Sequence, residues 1–281
     1  MERQQVGTVA SLWRHPVKSM LGEQLAQVFI TERGAVGDRA FALRELATGR
    51  IASAKKFRRL YDFRAKFDHE PGPESLPPIT IDMPDGSSIH AQDENASELI
   101  SEALGRKVRL ERSETANRER AGIDPANVFA DVPVEQVIPG LTAATLPDHF
   151  GLSANSFFDT ATMHVIASGT LHHMVRLTGA RSIFDPRRFR PTIFVDTGAP
   201  DDHFIEDDWI GGTLLVGDSL KIIQMQPALR CVMTTHPQDD LPADYDILRT
   251  AARHHKANVG VFASIGAPGL VRVGDPVVLE K

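Results

Sequence analysis

Residues 230–235 read Arg230-Cys231-Val232-Met233-Thr234-Thr235 and hold the only cysteine of the 281-residue chain. Thiolate is the nucleophilic, metal-binding form of cysteine, and a neighbouring arginine favours it. Upstream, Leu214 to Ile223 reads as a strand, a Gly217-Asp218 turn and a second strand. The thiol therefore falls just beyond a rigid sheet element, where functional groups are often carried. A lone cysteine is more often a small buried hydrophobe, and the residue types alone leave both readings open.

A second set of residues could gather around an anion. Lys18-Ser19, Arg39, Arg188, Arg190 and Arg230 fall in loop-like stretches. The arginine fork matches phosphate and carboxylate geometry. The competing reading is scattered surface charge. Other chemistries lack their signatures. There is no G-x-G-x-x-G, no G-x-x-x-x-G-K-[ST] and no H-E-x-x-H. The pairs His172-His173 and His254-His255 are adjacent, and neighbours do not share a face. With His164 and His203 isolated, the histidines read as structural or surface residues.

The bulk properties narrow the class. With 31 basic and 37 acidic residues the net charge is -6, which argues against sequence-independent nucleic-acid binding. A hydrophobic content of 42% with 24% charged residues is that of a globular protein. No segment has the apolar length of a membrane span, and the start lacks the apolar run of a signal peptide. One cysteine rules out an internal disulfide and a Cys₄ site. A cytoplasmic location is the expectation. The length suits one large domain or two ordinary ones.

The elements that must position these groups are mostly short strands. Val6 to Trp13 and Leu25 to Ile30 read as extended, separated by the loop His15-Pro16-Val17-Lys18-Ser19. Thr48-Gly49-Arg50 predicts a hairpin turn between Phe41–Arg44 and Ile51–Ser53, and Asp85-Gly86 one between Ile79–Met83 and Ser88–Ala91. Asn95 and Glu98 have capping-box spacing ahead of a helix that ends at Gly105. Val108 and Leu110 read as an edge strand. From Glu111 to about Asp124 the chain reads as a linker, and the first domain ends near there. In the second half Met163–Ile166, Ile193–Asp196, pairs within Trp209–Ile223, Val259–Ser264, Leu270–Val273 and Val277–Leu279 read as strands. Ser168 is placed to cap one helix and Asp244 to His255 forms another. Alternating strand–helix units are lacking, so the expected fold is mainly β (α+β), two β-barrel-like lobes with a few short helices.

Six motifs occur in one order: His15-Pro16-Val17-Lys18-Ser19, Gly37-Asp38-Arg39-Ala40-Phe41, Arg188-Phe189-Arg190-Pro191-Thr192-Ile193, Leu215-Val216-Gly217-Asp218, the Cys231 segment, and Val273-Gly274-Asp275-Pro276-Val277. In this the chain resembles the MOSC superfamily, in the class with an N-terminal MOSC β-barrel domain that includes the mitochondrial amidoxime-reducing component and its bacterial relatives. The resemblance spans about residues 6–279 and implies an N-terminal barrel domain over 1–120 and a MOSC domain over 121–281.

It further implies a molybdenum cofactor, as Mo-molybdopterin, between two β-rich domains, with Cys231 as metal ligand. Thiolate is a soft ligand suited to a sulfur-rich coordination sphere. Lys18, Ser19, Arg39 and Arg190 match positions against the cofactor's phosphate and pterin, with Arg188 and Thr192 beside them. Asp159 and Thr160 match a segment near the metal, Asp159 as a catalytic carboxylate that handles protons. Arg230 adds charge near the thiolate.

The implied activity is reduction of N-hydroxylated, or related N- or S-oxygenated, small molecules. No ferredoxin domain follows Leu279, so electrons are expected from a separate donor: a ferredoxin, a flavodoxin, or a cytochrome b5-like protein with its reductase. Two other readings use the same cysteine. One is sulfur transfer through a persulfide, without the pyridoxal phosphate module of the cofactor sulfurases; the other is a cofactor carrier. The chain departs from the better-known reductases at Leu229, often serine there, and at Thr235-His236-Pro237-Gln238, in place of Thr-Val-Asp-Pro. These changes leave room for reuse of the scaffold on an unusual substrate.

Overall fold

The computed structural model describes residues 2–113, 157–198 and 202–281. Seven strands close into a barrel. In hydrogen-bonded order they are β11 (Ile193–Asp196), β10 (Met163–Ala167), β14 (Asn258–Ala267), β13 (Leu220–Leu229), β12 (Thr213–Val216), β16 (Pro276–Glu280) and β1 (Arg3–Arg14), and β1 pairs back onto β11. β2 (Glu23–Leu25) adds to the free length of β1. The inward positions alternate as a strand's period of two requires: Leu214 and Val216, Val277 and Leu279, and Val9 and Leu12 across a bulge are all buried.

The barrel is not made by the second half alone. β1 supplies the strand that closes it, pairing β16 from Arg3↔Glu280 to Thr8↔Pro276 and β11 from Thr8↔Asp196 to Leu12↔Ile193. At this seam a Cβ on Gly7 would lie 2.4 Å from the Asp196 carbonyl oxygen, so only glycine admits the approach. A small sheet of β3 (Gln27–Thr31), β4 (Gly34–Ala35) and β15 (Gly269–Arg272) adds Val28, Ile30, Ala35 and Val271 to the same core.

A second core is built from residues 17–108. β5 (Phe41–Glu45) pairs with β9 (Val108–Arg112), and β6 (Arg64–Phe67), β7 (Ile79–Asp82) and β8 (Ser88–His90) form a three-stranded sheet. These and α1 (Ala96–Leu104) enclose Leu43, Leu60, Phe63, Ile79, Ile81 and Ile100. On the barrel's outside, α2 (Ser168–Leu177) joins the parallel pair β10 and β11, and α3 (Asp246–His255) packs beside it over Ile166, Met174 and Val259. These are the only three α-helices among the described residues. None there is long and apolar enough to cross a membrane.

The fold is mainly β, as expected, and several local expectations need correction. The hairpin at Thr48-Gly49 shrinks to one bridge, Arg44↔Ile51, because β5 takes β9 as its main partner. Asn95 caps α1 through its backbone position alone; its side chain makes no capping bond. Ser168 is the first helical residue of α2 rather than its cap, and its hydroxyl bonds Asp196 Oδ1 at 3.1 Å. Trp209, read as the start of a strand pair, instead ends the 3-10 turn Ile205–Trp209, and strand begins at Thr213. Glu111 and Arg112 belong to β9 and Ser113 N donates to the Ala40 carbonyl at 2.8 Å, while the expected linker from residue 114 on and the 120/121 boundary lie outside the described residues.

Candidate functional site

The Cys231 backbone is extended where β13 ends, and the chain then coils into the 3-10 turn Val232–Thr235. Two hydroxyls tie that turn to itself: Thr234 Oγ1 donates to the Cys231 carbonyl at 3.0 Å and Thr235 Oγ1 to the Val232 carbonyl at 2.8 Å. Arg188 fastens it from outside. Its Nη1 approaches the Thr234 and His236 carbonyls at 3.4 Å each, Nη2 donates to Pro242 at 2.8 Å and Nε to Ile183 at 3.0 Å. Met233 reaches into the other core, and His236 Nε2 is 3.0 Å from the Ala54 carbonyl. The cysteine turn thus bridges the two cores.

Cys231 is half-buried in the wall of a cleft that encloses about 1070 Å³, its open mouth included. That is ample for a small-molecule ligand. Among the described lining residues six are cationic, Lys18, Arg39, Lys55, Arg188, Arg190 and Arg230, while Asp159 is the one acid. Ser19, Thr160 and Thr192 also face it. The structure therefore brings every sequence-predicted site residue to one cleft, although Arg188 spends its guanidinium on carbonyls.

The cations come from both ends of the chain. The loop of Lys18 and Ser19 is laced to that of Arg39: Lys18 N donates to the Phe41 carbonyl and Arg39 N to that of His15, both at 2.8 Å. Asp38, buried, accepts from His15 N at 2.8 Å and pairs with Arg39. Arg190 and Thr192 stand where the 3-10 turn Pro186–Phe189 meets β11, and Arg230 where β13 ends. Three lining residues, Ser19, Arg39 and Arg190, have φ of 68°, 49° and 54°. Non-glycine residues seldom adopt that region, and such strain gathers at ligand sites.

Arg190 Nη1 donates to the Met20 carbonyl at 2.8 Å, and its plane lies 5.7 Å from the Tyr61 ring centre. Its Nη2 is buried and has no hydrogen-bond partner. Arg230 Nη2 donates to the Phe189 carbonyl at 2.6 Å, Nη1 lies 3.2 Å from His164 Nε2, and Nε is buried without a partner. Burial pulls both guanidiniums down to about 10. The same burial, with Arg230 beside it, holds His164 well below the usual imidazole range, so it is neutral at pH 7.

At the other wall Asp159 sits between two ammoniums. It pairs with Lys18, whose Nζ also donates to the Phe157 carbonyl at 2.6 Å, and its Oδ2 accepts from Lys55 Nζ at 3.0 Å. Partial desolvation in the cleft wall would raise this carboxyl; the two lysines override it and hold it well below the carboxylate range. Lys55 is raised by Asp159 and by Cys231 against the opposing effect of burial, and Lys18 is lowered by burial. Next to Asp159, the Phe158 ring lies 4.9 Å from the Arg39 guanidinium carbon.

Lys55 and His164 were not singled out from the sequence as site residues. Lys55 sits in an unremarkable turn, and its partner Asp159 is 104 positions away. His164 lies on the barrel strand β10, where Gly260 lets β14 pass close: a Cβ there would meet Val165 O and Ile166 Cγ1 at 2.6 Å and His164 Nε2 at 2.8 Å. A histidine whose ring reaches a glycine two residues along from its partner Phe262 is a signal only once the pairing is known.

Fold and cleft together define a β-barrel protein that carries one thiol within a cationic cleft able to take an anionic ligand. Family models agree: the MOSC N-terminal beta barrel domain matches residues 6–122 and the MOSC domain matches 152–278. The chain belongs to the MOSC superfamily, whose domains are associated with the molybdenum cofactor. Among solved structures it is similar to the YuaD protein of Bacillus subtilis, at 11% identity, covering 100% of this chain and 98% of that one with a TM-score of 0.43. It is also similar to YiiM of Geobacillus stearothermophilus, at 16% identity, covering 43% and 55% with a TM-score of 0.31. No curated protein matches it.

The residues fit the implied cofactor. Two buried guanidinium N–H groups lack acceptors, which a phosphate or a polar pterin edge would supply. Among the described residues no group of three or more His, Cys, Asp or Glu side chains could hold an ion.

Proposed function

We propose that the protein is a molybdenum-cofactor-dependent oxidoreductase that reduces N-hydroxylated, or related N- or S-oxygenated, small molecules. The observation that carries this is the half-buried Cys231 thiol in a cleft where Arg190 and Arg230 hold unspent donors. When bound, the cofactor supplies the two-electron redox chemistry, which the protein orients and shields. The choice of N-oxygenated substrates rests on the motif set around Cys231.

Each residue has a part in this proposal. Cys231 gives a thiolate to the metal. Arg190 and Arg230 donate to the cofactor's anionic and pterin groups, and Lys18, Ser19, Arg39, Thr160 and Thr192 complete the polar wall. Arg188 holds the turn that aims the thiol. His164, neutral, orients Arg230 and carries no proton to the substrate at pH 7. Electrons come from a separate donor protein of the ferredoxin, flavodoxin or cytochrome b5-like kind. Sulfur transfer through a persulfide on Cys231 is the competing use of the same thiol.

Protein from a molybdenum-replete host should carry about one molybdenum and one pterin per chain, and Cys231→Ser should lose the metal. Benzamidoxime reduction with an artificial reductant should follow metal content. A persulfide on Cys231 by intact-mass spectrometry, with no metal, would move the assignment to sulfur transfer.

A further inference from the structure

The segment Phe157–Asp159 answers the three cations that the described residues of the first half send into the cleft. Lys18 is met by the Phe157 carbonyl and by Asp159, Lys55 by Asp159, and Arg39 by the face of Phe158. The two ammoniums grip opposite oxygens of one carboxylate. That is the arrangement in which a pair of lysines receives a phosphate or carboxylate from a ligand. The lysine side chains are 12% and 13% exposed, whereas Asp159 keeps 42% open to the cavity. The cations are fixed in the wall, and the anion between them is the part with room to leave.

We propose that Lys18 and Lys55 form an oxyanion subsite of the cleft and that the Asp159 carboxylate is its internal placeholder, displaced when a ligand's phosphate or carboxylate arrives. An exchange of one carboxylate for another anion keeps both ammoniums paired throughout, and so avoids the cost of leaving a desolvated charge uncompensated. The net electrostatic change is small, and binding is set by how much better the ligand anion fits than Asp159 does. Once freed of the two lysines, Asp159 regains an ordinary carboxylate's ability to accept a proton beside the substrate. Its part in proton handling thus begins only after the ligand has taken its place. This subsite deepens the functional reading only in naming which part of the ligand it takes; the lysine pair accepts an oxyanion with or without metal.

The test uses the full metal-free chain and two probes, inorganic phosphate and benzoate, titrated calorimetrically. Removing the internal competitor should raise affinity: Asp159→Asn is expected to bind at least one probe tenfold or more tightly than the unaltered protein, and Asp159→Ser to do the same. Adding Lys55→Met to Asp159→Asn should cancel the gain. Asp62→Asn makes the same charge change away from the cleft and should give none. A gain for phosphate alone assigns the subsite to a phosphate-bearing ligand such as the cofactor; a gain for benzoate alone assigns it to a substrate carboxylate. No gain with either probe, an equal gain in Asp62→Asn, or a gain that survives Lys55→Met would overturn the proposal. Since no metal is measured, these outcomes are independent of the molybdenum assay.

Discussion

Arg190 and Arg230 each hold a buried N–H with nothing to receive it. Such a donor forfeits about 1–3 kcal/mol of hydrogen bonding with water, so both sites are more costly in the ligand-free protein than in a loaded one. Replacing Arg190 by Met should therefore change the unfolding free energy of the cofactor-free chain by less than about 2 kcal/mol. The same change should cut molybdenum and pterin retention at least tenfold. Denaturant unfolding and metal analysis on the same preparations separate the two effects. At this scale the sequence was most informative about residues inside motifs. A single cysteine beside an arginine marks itself, and Lys18, Arg39 and Arg190 sit in ordered motifs. Lys55 carries no such mark; what makes it a site residue is an aspartate brought to it by the fold.

Strands and turns were legible where period or punctuation was strong. The Asp85-Gly86 hairpin forms as read, with Thr80↔His90 and Asp82↔Ser88 in register. Where a distant strand outbid a near one, the reading was wrong: β5 prefers β9, about 65 positions on, because Phe41 and Leu43 are buried with Val108 in one core. The start of α2 was also misplaced, since its real support is tertiary. Glu206, only 2% exposed, accepts from the Ala167 N–H at 2.6 Å and from the Thr170 hydroxyl. Burial pushes its carboxyl up to about 7 from an ordinary 4.5. The folded protein therefore retains a proton that the unfolded chain releases between those values, and stability should fall as pH rises from about 4.5 through about 7. The full span is of the order of 3 kcal/mol. Urea midpoints across that window should show the decline, and Glu206→Gln should flatten it.

The whole molecule turns on barrel closure, which no local pattern announces. β1 reads as an ordinary first strand, yet it lies between β11 and β16, nearly two hundred or more positions away. Gly7→Ala should strain that seam through the Asp196 carbonyl and lower stability by about 1–3 kcal/mol. The loss should appear in equilibrium unfolding, with the chain still cooperative. Arg14, at the far end of β1, pairs with Glu23 and Glu70 and lies 4.9 Å from the Phe67 ring centre, so one strand is built into both cores.

That long reach constrains how the protein can come into being. Glu2 and Lys281 exchange both backbone hydrogen bonds, at 3.0 and 3.1 Å, so β1 must wait for the much later β16 before the ring of strands is complete. A ribosome-bound chain halted near residue 200 has β1 and β11 but no β16, and it presents bare strand edges of the kind that invite aggregation. A fragment cut near residue 120 to isolate the second half would have the same defect. A circular permutant that joins Lys281 directly to Glu2 and opens the chain elsewhere should keep its ring.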